Sequence, residues 1–166
     1  MRFSIEVAKR VFGDKEIIAC EIGTLKGENA LSILKNLNIK KIYLIDPYER
    51  YEAYENDSSS KILIEAKKKA HEGLKEYENK IVWIEKYSDK AVEDIKEKLD
   101  FVYIDGNHFS PYVDNDIKNY YSLVKDGGIV SGHDYSIGWK DVIIAVNSFF
   151  KNKEVKIKNR DWVIEK

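Results

Sequence analysis

The stretch IIACEIGTLKG, residues 17–27, contains the pattern on which the fold of this chain depends. Its first six residues are almost all apolar, as in a strand buried on both faces, and glycines follow at positions 23 and 27. Glycine permits a positive φ and lets a ligand approach the backbone, and a helical pattern from Ala30 onward would offer free N–H groups. The stretch predicts a strand, a glycine loop and a helix. Taken alone, it also fits a tight strand–helix turn with incidental glycines.

The same alternation continues along the chain. Further apolar runs at 42–45, 81–84, 101–104 and 129–132 are separated by stretches of helical periodicity. Gly127 and Gly128 are predicted to end the helix that precedes the last of these runs. Apolar strands separated by helices require a parallel sheet that is covered on both faces. We therefore predict an α/β fold: a three-layer sandwich whose mostly parallel, Rossmann-like sheet has helices on both faces. The short link at 158–161 allows a C-terminal antiparallel hairpin.

Composition narrows the classes of protein and partner. A chain of 166 residues with 43% hydrophobic and 34% charged residues fits one globular domain, residues 1–166. The net charge of -1 gives no bulk electrostatic reason to expect a nucleic acid or a membrane as a partner. Cys20 is the only cysteine, and no stretch approaches the ~20 apolar residues of a membrane span. We expect a cytoplasmic protein, and a homodimer in which a second subunit completes the substrate site.

A second acidic residue strengthens the interpretation of the glycine loop. Asp46 ends the second predicted strand about 20 residues after that loop, where Rossmann-type folds place a carboxylate that accepts ribose hydroxyls. Its alternative role is to form a turn before Pro47. A dinucleotide fingerprint would require glycine where this chain has Leu25, and a side chain there would crowd a pyrophosphate. The pair of features indicates a ligand that contains a ribose, and the missing glycine argues against a dinucleotide.

Four motifs, in this order, resemble a known superfamily. The segment from Glu21 to Gly27, Asp46, the stretch IDGNH at 104–108 and the stretch GGIVSGHDY at 127–135 resemble the signature of class I S-adenosylmethionine-dependent methyltransferases. Within them, the last two stretches resemble the branch that contains macrocin O-methyltransferase and the cephalosporin-hydroxylase-like proteins.

This resemblance implies a cofactor site for S-adenosyl-L-methionine at the ends of the predicted strands. Glu21 and Gly23 would contact its methionine portion, and Asp46 would bind its ribose. Ser88 would line the adenine, and Asp105 would stand beside the transferring methyl group. The implied cofactor-binding residues are Glu21, Gly23, Thr24, Gly27, Asp46, Ser88 and Asp105.

Two histidines lie beside aspartates after the fourth and fifth strands. The resemblance implies that Asp105, His133 and Asp134 coordinate a divalent metal, although Mg²⁺ prefers oxygen ligands and His133 would favour Mn²⁺ or a softer ion. The residues themselves permit a mechanism without metal, in which His108 accepts the hydroxyl proton and Asp105 orients it. Both mechanisms stay open at this stage, and Asp105 and His108 are the candidate catalytic residues.

The function predicted by these patterns is methyl transfer to a small acceptor, by O-methylation of a hydroxyl such as that of a sugar or natural product. One alternative is a nicotinamide-dependent oxidoreductase, against which the missing glycine argues. Another is a non-catalytic domain that binds S-adenosylmethionine or acts as a scaffold. The long polar segment 48–60 is predicted to be a lid over the cofactor edge.

Overall fold

The structure, a computed structural model, describes residues 1–49 and 60–166. Its helices are α1 (Phe3–Phe12), α2 (Glu28–Asn36), α3 (Ser60–Leu74), α4 (Ser88–Ala91), α5 (Tyr112–Leu123) and α6 (Lys140–Phe149). Its strands are β1 (Ile17–Ile22), β2 (Ile39–Ile45), β3 (Ile81–Ile84), β4 (Leu99–Ile104), β5 (Val124–Gly132), β6 (Lys156–Lys158) and β7 (Asp161–Glu165). Two short 3-10 helices, Lys75–Lys80 and Val92–Asp94, follow α3 and α4.

The strands form one seven-stranded sheet in the order β3-β2-β1-β4-β5-β7-β6. The first five strands are parallel, and β7 runs antiparallel to both β5 and β6. The predicted Rossmann-like sandwich with a C-terminal antiparallel hairpin is confirmed. The strand order reverses between β1 and β4, and open α/β sheets bind their ligands at such a switch point, outside the carboxyl ends of the strands.

Alternate strand residues supply two separate cores, one on each face of the sheet. Ala19 and Phe101 pack beneath α1, α2 and α3, while Cys20 and Val102 pack beneath α4, α5 and α6. Every one of these side chains is fully buried. Successive side chains of a strand point to opposite faces of the sheet, and both faces are buried here. The strands therefore appear in the sequence as continuous apolar runs.

One local expectation requires correction. The glycine pair at 127–128 suggests the end of the helix now defined as α5, but that helix ends at Leu123 and both glycines lie within β5. The register of β5 against β4 shifts here: Val124 faces Leu99, and the next pair joins Ile129 to Phe101. A Cβ on Gly128 would lie 2.9 Å from the Asp100 carbonyl oxygen, so glycine allows this irregular segment to pack closely against β4.

Most of the predicted lid segment lies outside the described residues, since the described part of 48–60 comprises only Tyr48, Glu49 and Ser60. The lid therefore stays a prediction. Within the described part of the chain, no helix has the length and apolar character needed to cross a membrane.

Candidate active site

A cavity of about 350 Å³ opens at the carboxyl ends of β1, β2 and β4. Four of the residues predicted to bind the cofactor line it: Gly23, Asp46, Ser88 and Asp105. His108 also lines this cavity. The volume falls within the ~300–1,000 Å³ typical of small-molecule sites.

The loop between β1 and α2 approaches β4 very closely. Gly23 has φ +86° and donates its N–H to the carbonyl of Ile45 at 2.9 Å. A Cβ at this position would lie 2.1 Å from the backbone oxygen of Asp105. The absence of a side chain at Gly23 is therefore required by the approach of the chain's own backbone, in addition to any space that a ligand needs. Gly27 packs against α3, where its Cβ would meet Leu74 at 3.0 Å.

Glu21 is a buried acid at the end of β1, with 1% of its surface exposed. Its Oε1 accepts a hydrogen bond from the Asn29 side chain at 2.8 Å, whereas Oε2 has no partner among the described residues. Burial raises the pKa of Glu21 to about 8, which the hydrogen bond from Asn29 only partly offsets. The hydroxyl of Thr24 is likewise buried without a described partner. Neither residue lines the cavity itself, but both lie within two positions of Gly23, which does, so these unpartnered atoms mark a place where a ligand could supply the missing hydrogen bonds.

Asp46 makes local backbone contacts with both carboxylate oxygens. Its Oδ2 accepts the N–H of Leu25 and its Oδ1 accepts the N–H of Tyr48, each at 2.8 Å. The second bond is the turn-forming contact that the alternative interpretation anticipated. A carboxylate has about four acceptor positions, so Asp46 can also accept hydrogen bonds from the ribose hydroxyls of a ligand in the cavity.

Ser88, the first residue of α4, donates its hydroxyl to Oδ1 of Asp116 on α5. Asp116 is 2% exposed, and burial raises its pKa to about 7 in spite of that hydrogen bond. Sequence reasoning did not identify Asp116 as part of the site. The available signal was an acid at the helical spacing of the buried face of α5, three residues after Val113.

Three side chains converge beside the cavity. Nε2 of His108 lies 3.4 Å from Oδ1 of Asp105 and 3.1 Å from Oδ2 of Asp134. These three atoms lie within 4.8 Å of one another, so they could hold a metal ion. The ring of Trp139 stacks on His108 with 4.6 Å between centroids.

His133 lies beside these three side chains and contacts Asp161 as well as Asp134. Its Nδ1 lies 2.9 Å from Oδ1 of Asp161 at the start of β7, and its Nε2 lies 3.8 Å from Oδ1 of Asp134. Asp161 is 2% exposed and also accepts hydrogen bonds from Ser4 and Tyr103. The sequence-based metal set included His133, whereas the structure places His108 between the two carboxylates.

Two arginines that sequence reasoning missed also reach this cluster. Arg2 lies 3.6 Å from Oδ2 of Asp105, and Arg160 lies 3.3 Å from Oδ1 of Asp134. Arg160 belongs to the turn of the β6–β7 hairpin, where its carbonyl accepts the N–H of Tyr135 at 3.0 Å. The predicted hairpin was an available signal for Arg160 and Asp161, because an antiparallel partner of β5 begins at the carboxyl edge. The placement of Arg2 depends on tertiary packing alone.

The fold, the glycine loop and the cavity at the switch point together define a class I, S-adenosylmethionine-dependent methyltransferase. Residues 20–135 match a family model described as "Methyltransferase domain", and the chain belongs to that family. Comparison with curated protein sequences gave no match.

Solved structures of methyltransferases share the fold at low sequence identity. The O-methyltransferase NovP is 14% identical, with a TM-score of 0.71 over 98% of this chain and 78% of that one. An rRNA methylase from Streptococcus thermophilus is 16% identical, with a TM-score of 0.70 over 98% and 93% of the two chains. The Streptococcus mutans protein SMU.1697c, solved in complex with SAH, is 17% identical, with a TM-score of 0.66 over 99% and 97%.

Proposed function

We propose that this chain transfers the methyl group of S-adenosylmethionine to a hydroxyl oxygen of a small acceptor. The observation that carries the proposal is the convergence of Asp105, His108 and Asp134 within 4.8 Å of one another beside the cavity. The sulfonium is already a strong electrophile, so the protein mainly has to align the acceptor with the methyl group. A hydroxyl acceptor also needs help to lose its proton, and such a cluster can provide it. The name of the structural neighbour NovP supports oxygen as the acceptor atom.

The cofactor would occupy the cavity in a fixed direction. Its ammonium group would face the unpartnered Oε2 of Glu21, and its ribose would hydrogen-bond to Asp46. Ser88 would line the adenine, and Asp105 would lie next to the methyl group. Gly23, Thr24 and Gly27 would shape the loop around the methionine portion.

The donor set of the cluster fits a divalent cation. Oδ1 of Asp105, Nε2 of His108 and Oδ2 of Asp134 would hold the ion, and one nitrogen among two oxygens favours Mn²⁺ over Mg²⁺. Arg2 and Arg160 lie by the other oxygen of each carboxylate, so each carboxylate has one oxygen facing the centre of the cluster. When bound, the ion would lower the pKa of the acceptor hydroxyl.

A mechanism without metal uses the same nitrogen of His108 as a base instead of a ligand. Its Nε2 would have to accept the acceptor's proton, while Asp105 or Asp134 stabilises the imidazolium that forms. Manganese titration followed by electron paramagnetic resonance separates the alternatives before any acceptor is known. Loss of Mn²⁺ binding in His108→Ala, but not in His133→Ala, would support the metal set defined here. The reverse result would favour the set predicted from sequence, and no binding to the unchanged protein would remove the metal from the mechanism.

Calorimetry with S-adenosylmethionine, S-adenosylhomocysteine and NAD tests the proposal at its base. Binding of NAD without either adenosyl-sulfur ligand would overturn it. Activity should then be measured on panels of hydroxylated natural products, sugars and RNA, because one structural neighbour is an rRNA methylase. Asp134→Ala should abolish transfer to the best acceptor. The control Asp114→Ala, which changes an exposed acid on α5, should not.

We further propose that residues 1–166 work as a single domain and that 48–60 closes over the bound cofactor. Limited proteolysis with and without S-adenosylhomocysteine tests the lid, since cleavage there that ligand does not slow would contradict closure. Sedimentation tests the predicted homodimer.

A further inference from the structure

The start of α1 places a guanidinium beside Asp105, one of the residues that line the cavity. Both the backbone N–H and the hydroxyl of Ser4 donate to Oδ2 of Asp161, at 3.1 and 3.0 Å, and fix the first turn of the helix. Arg2 immediately precedes this helix, and its side chain is 33% exposed. One of its terminal nitrogens lies 3.6 Å from Asp105, which lines the cavity, and the other lies 3.6 Å from Asp161.

This guanidinium is charged and has unused hydrogen-bond donors. Among the described residues, Arg2 makes no side-chain hydrogen bond, and its two ion-pair contacts exceed the ~2.7–2.9 Å of a charge-assisted bond. Its planar group carries five N–H donors in a fork that matches a carboxylate. Burial acts to lower its pKa, but the groups around it, chiefly Tyr103 and the carboxylates of Asp105 and Asp161, raise the pKa above its usual value. Arg2 therefore stays positive while its donors remain available.

The methionine end of the cofactor carries two opposite charges. Its ammonium has a suitable acceptor in the buried Oε2 of Glu21, but its carboxylate requires a cation. Gly23, two residues after Glu21, lies against the backbone of Asp105, which Arg2 contacts, so Glu21 and Arg2 flank the same end of the cavity. We infer that Arg2 binds the carboxylate of the cofactor's methionine portion, opposite the ammonium held by Glu21. This inference rests on the cofactor placement of the proposed function.

Lys26 is the competing cation, because it lines the cavity itself, whereas Arg2 reaches the cavity through its contact with Asp105. Its residue is exposed, so water screens its charge, whereas the Arg2 side chain is largely shielded. A lysine also presents a mobile point charge, whereas the arginine fork can form two parallel bonds to one carboxylate. These differences favour Arg2.

The test compares S-adenosylhomocysteine with its decarboxylated analogue, S-adenosyl-3-thiopropylamine, by calorimetry. The two ligands share the adenosine and the amine, and only the first has the carboxylate. The unchanged protein should bind S-adenosylhomocysteine about 10- to 100-fold more tightly, as expected for a hydrogen-bonded ion pair. Arg2→Gln should remove that preference. Lys26→Gln and Arg160→Gln, which change the other cations near the site, should retain it. Circular dichroism should check that each variant is folded.

Each other outcome overturns a defined part of the scheme. If the unchanged protein binds both ligands equally, its carboxylate site is absent, and no variant is needed to reach that conclusion. An equal loss of affinity for both ligands in Arg2→Gln would make Arg2 a structural residue. Loss of the preference in Lys26→Gln would assign the carboxylate to Lys26. Failure of the unchanged protein to bind either ligand would contradict the proposed function itself.

Discussion

Two halves of the sheet's carboxyl edge hold their acidic groups in different ways. In the cofactor half, the ends of β1 and β2 where we propose that the cofactor binds, Glu21 and Asp46 accept hydrogen bonds from an amide side chain and from backbone N–H groups, and Oε2 of Glu21 has no described partner. In the acceptor half, the ends of β4 and β5 and the start of β7 where we propose that the acceptor binds, Asp134 and Asp161 pair with arginines and histidines. The first half leaves a buried acid without a cationic partner, whereas the acids of the second half have cationic or imidazole partners within the protein.

The comparison teaches that the two halves present different chemistry to what they bind. A buried acid with a raised pKa favours a cationic ligand group, because the cation restores its ionised form. In a cluster of paired carboxylates and imidazoles, a carboxylate or an imidazole can give up its partner in the protein and bind a metal ion or a proton instead. This division matches a cofactor with an ammonium group on one side and a hydroxyl acceptor on the other.

The largest effect is expected where the two halves touch. Gly23→Ala would force a Cβ within 2.1 Å of the Asp105 backbone oxygen at φ +86°, so β1 and β4 would have to separate at their ends. We expect a loss of about 4–5 kcal/mol in the free energy of unfolding, together with loss of cofactor binding. Urea denaturation and calorimetry measure both.

Gly13→Ala is the matched control for that change. Gly13 also has positive φ, +54°, but a Cβ there meets nothing within 4 Å. The free energy of unfolding of this variant should fall by only about 1–2 kcal/mol, which is the cost of the backbone conformation alone. Equal losses in the two variants would show that the contact with Asp105 is unimportant.

The next largest effect is expected when a buried acid of the acceptor half is removed from its partners. Asp161→Ala would leave the buried N–H of Ser4, the imidazole of His133 and the hydroxyl of Tyr103 without their acceptor. We expect a loss of about 3–4 kcal/mol at neutral pH. Burial acts to raise the pKa of Asp161, but its hydrogen bonds lower it below the usual value. Its stabilisation is therefore present above about pH 4 and is lost as the pH falls through its folded pKa.

Acid denaturation of both proteins checks this prediction. Stability at neutral pH should fall in Asp161→Ala, and its decrease on acidification should become shallower. Glu97→Ala is the control, since Glu97 accepts similar bonds from Lys41 and Tyr43 but has 38% of its side chain exposed. It should lose at most about 1 kcal/mol. A loss as small as this in Asp161→Ala would contradict a buried network.

A smaller effect concerns Glu21, the buried acid of the cofactor half that has no cationic partner. Because its folded pKa is about 8, well above its unfolded value, the free protein should lose stability as the pH rises from about 4.5 to 8. Glu21→Gln removes this titration. At pH 8.5 we therefore expect the free energy of unfolding of the variant to exceed that of the unchanged protein by about 2–4 kcal/mol. Affinity for S-adenosylhomocysteine should fall in the same variant. Glu28→Gln, an exposed change on α2, should alter neither quantity.

Proton release gives a second measurement of the same group. At pH 7 a carboxyl with a pKa of about 8 is mostly protonated, so an ammonium that binds beside it should displace close to one proton. Calorimetry in buffers of different ionisation enthalpy measures that number. No released proton would mean that Glu21 does not face the cofactor's ammonium.

The sequence predicted the sheet and the hairpin because those depend on local patterns, and four of the residues that it assigned to cofactor binding line one cavity. Apolar strands, a glycine loop and Asp46 at the end of β2 are each recognisable within a few residues. The sequence did not reveal the contact of His133 with Asp161 or that of Arg2 with Asp105. These contacts depend on which distant segments meet at the carboxyl edge of the sheet. The helix end assigned to residues 127–128 was wrong because a glycine pair fits a strand irregularity as well as a helix terminus.

The hydrogen bonds between Ser4 and Asp161 join residues that are 157 positions apart. During synthesis, residues 17–105, which include β1 to β4, emerge before Asp161 exists on the growing chain. The walls of the cofactor cavity can therefore form early, whereas α1 and the His133 contact must wait for the last strand. Contacts of such long range form late because closing the intervening chain costs entropy that only the finished sheet repays. We therefore expect the edge that holds Asp105, His133 and Asp161 to be the last part of the sheet to become complete.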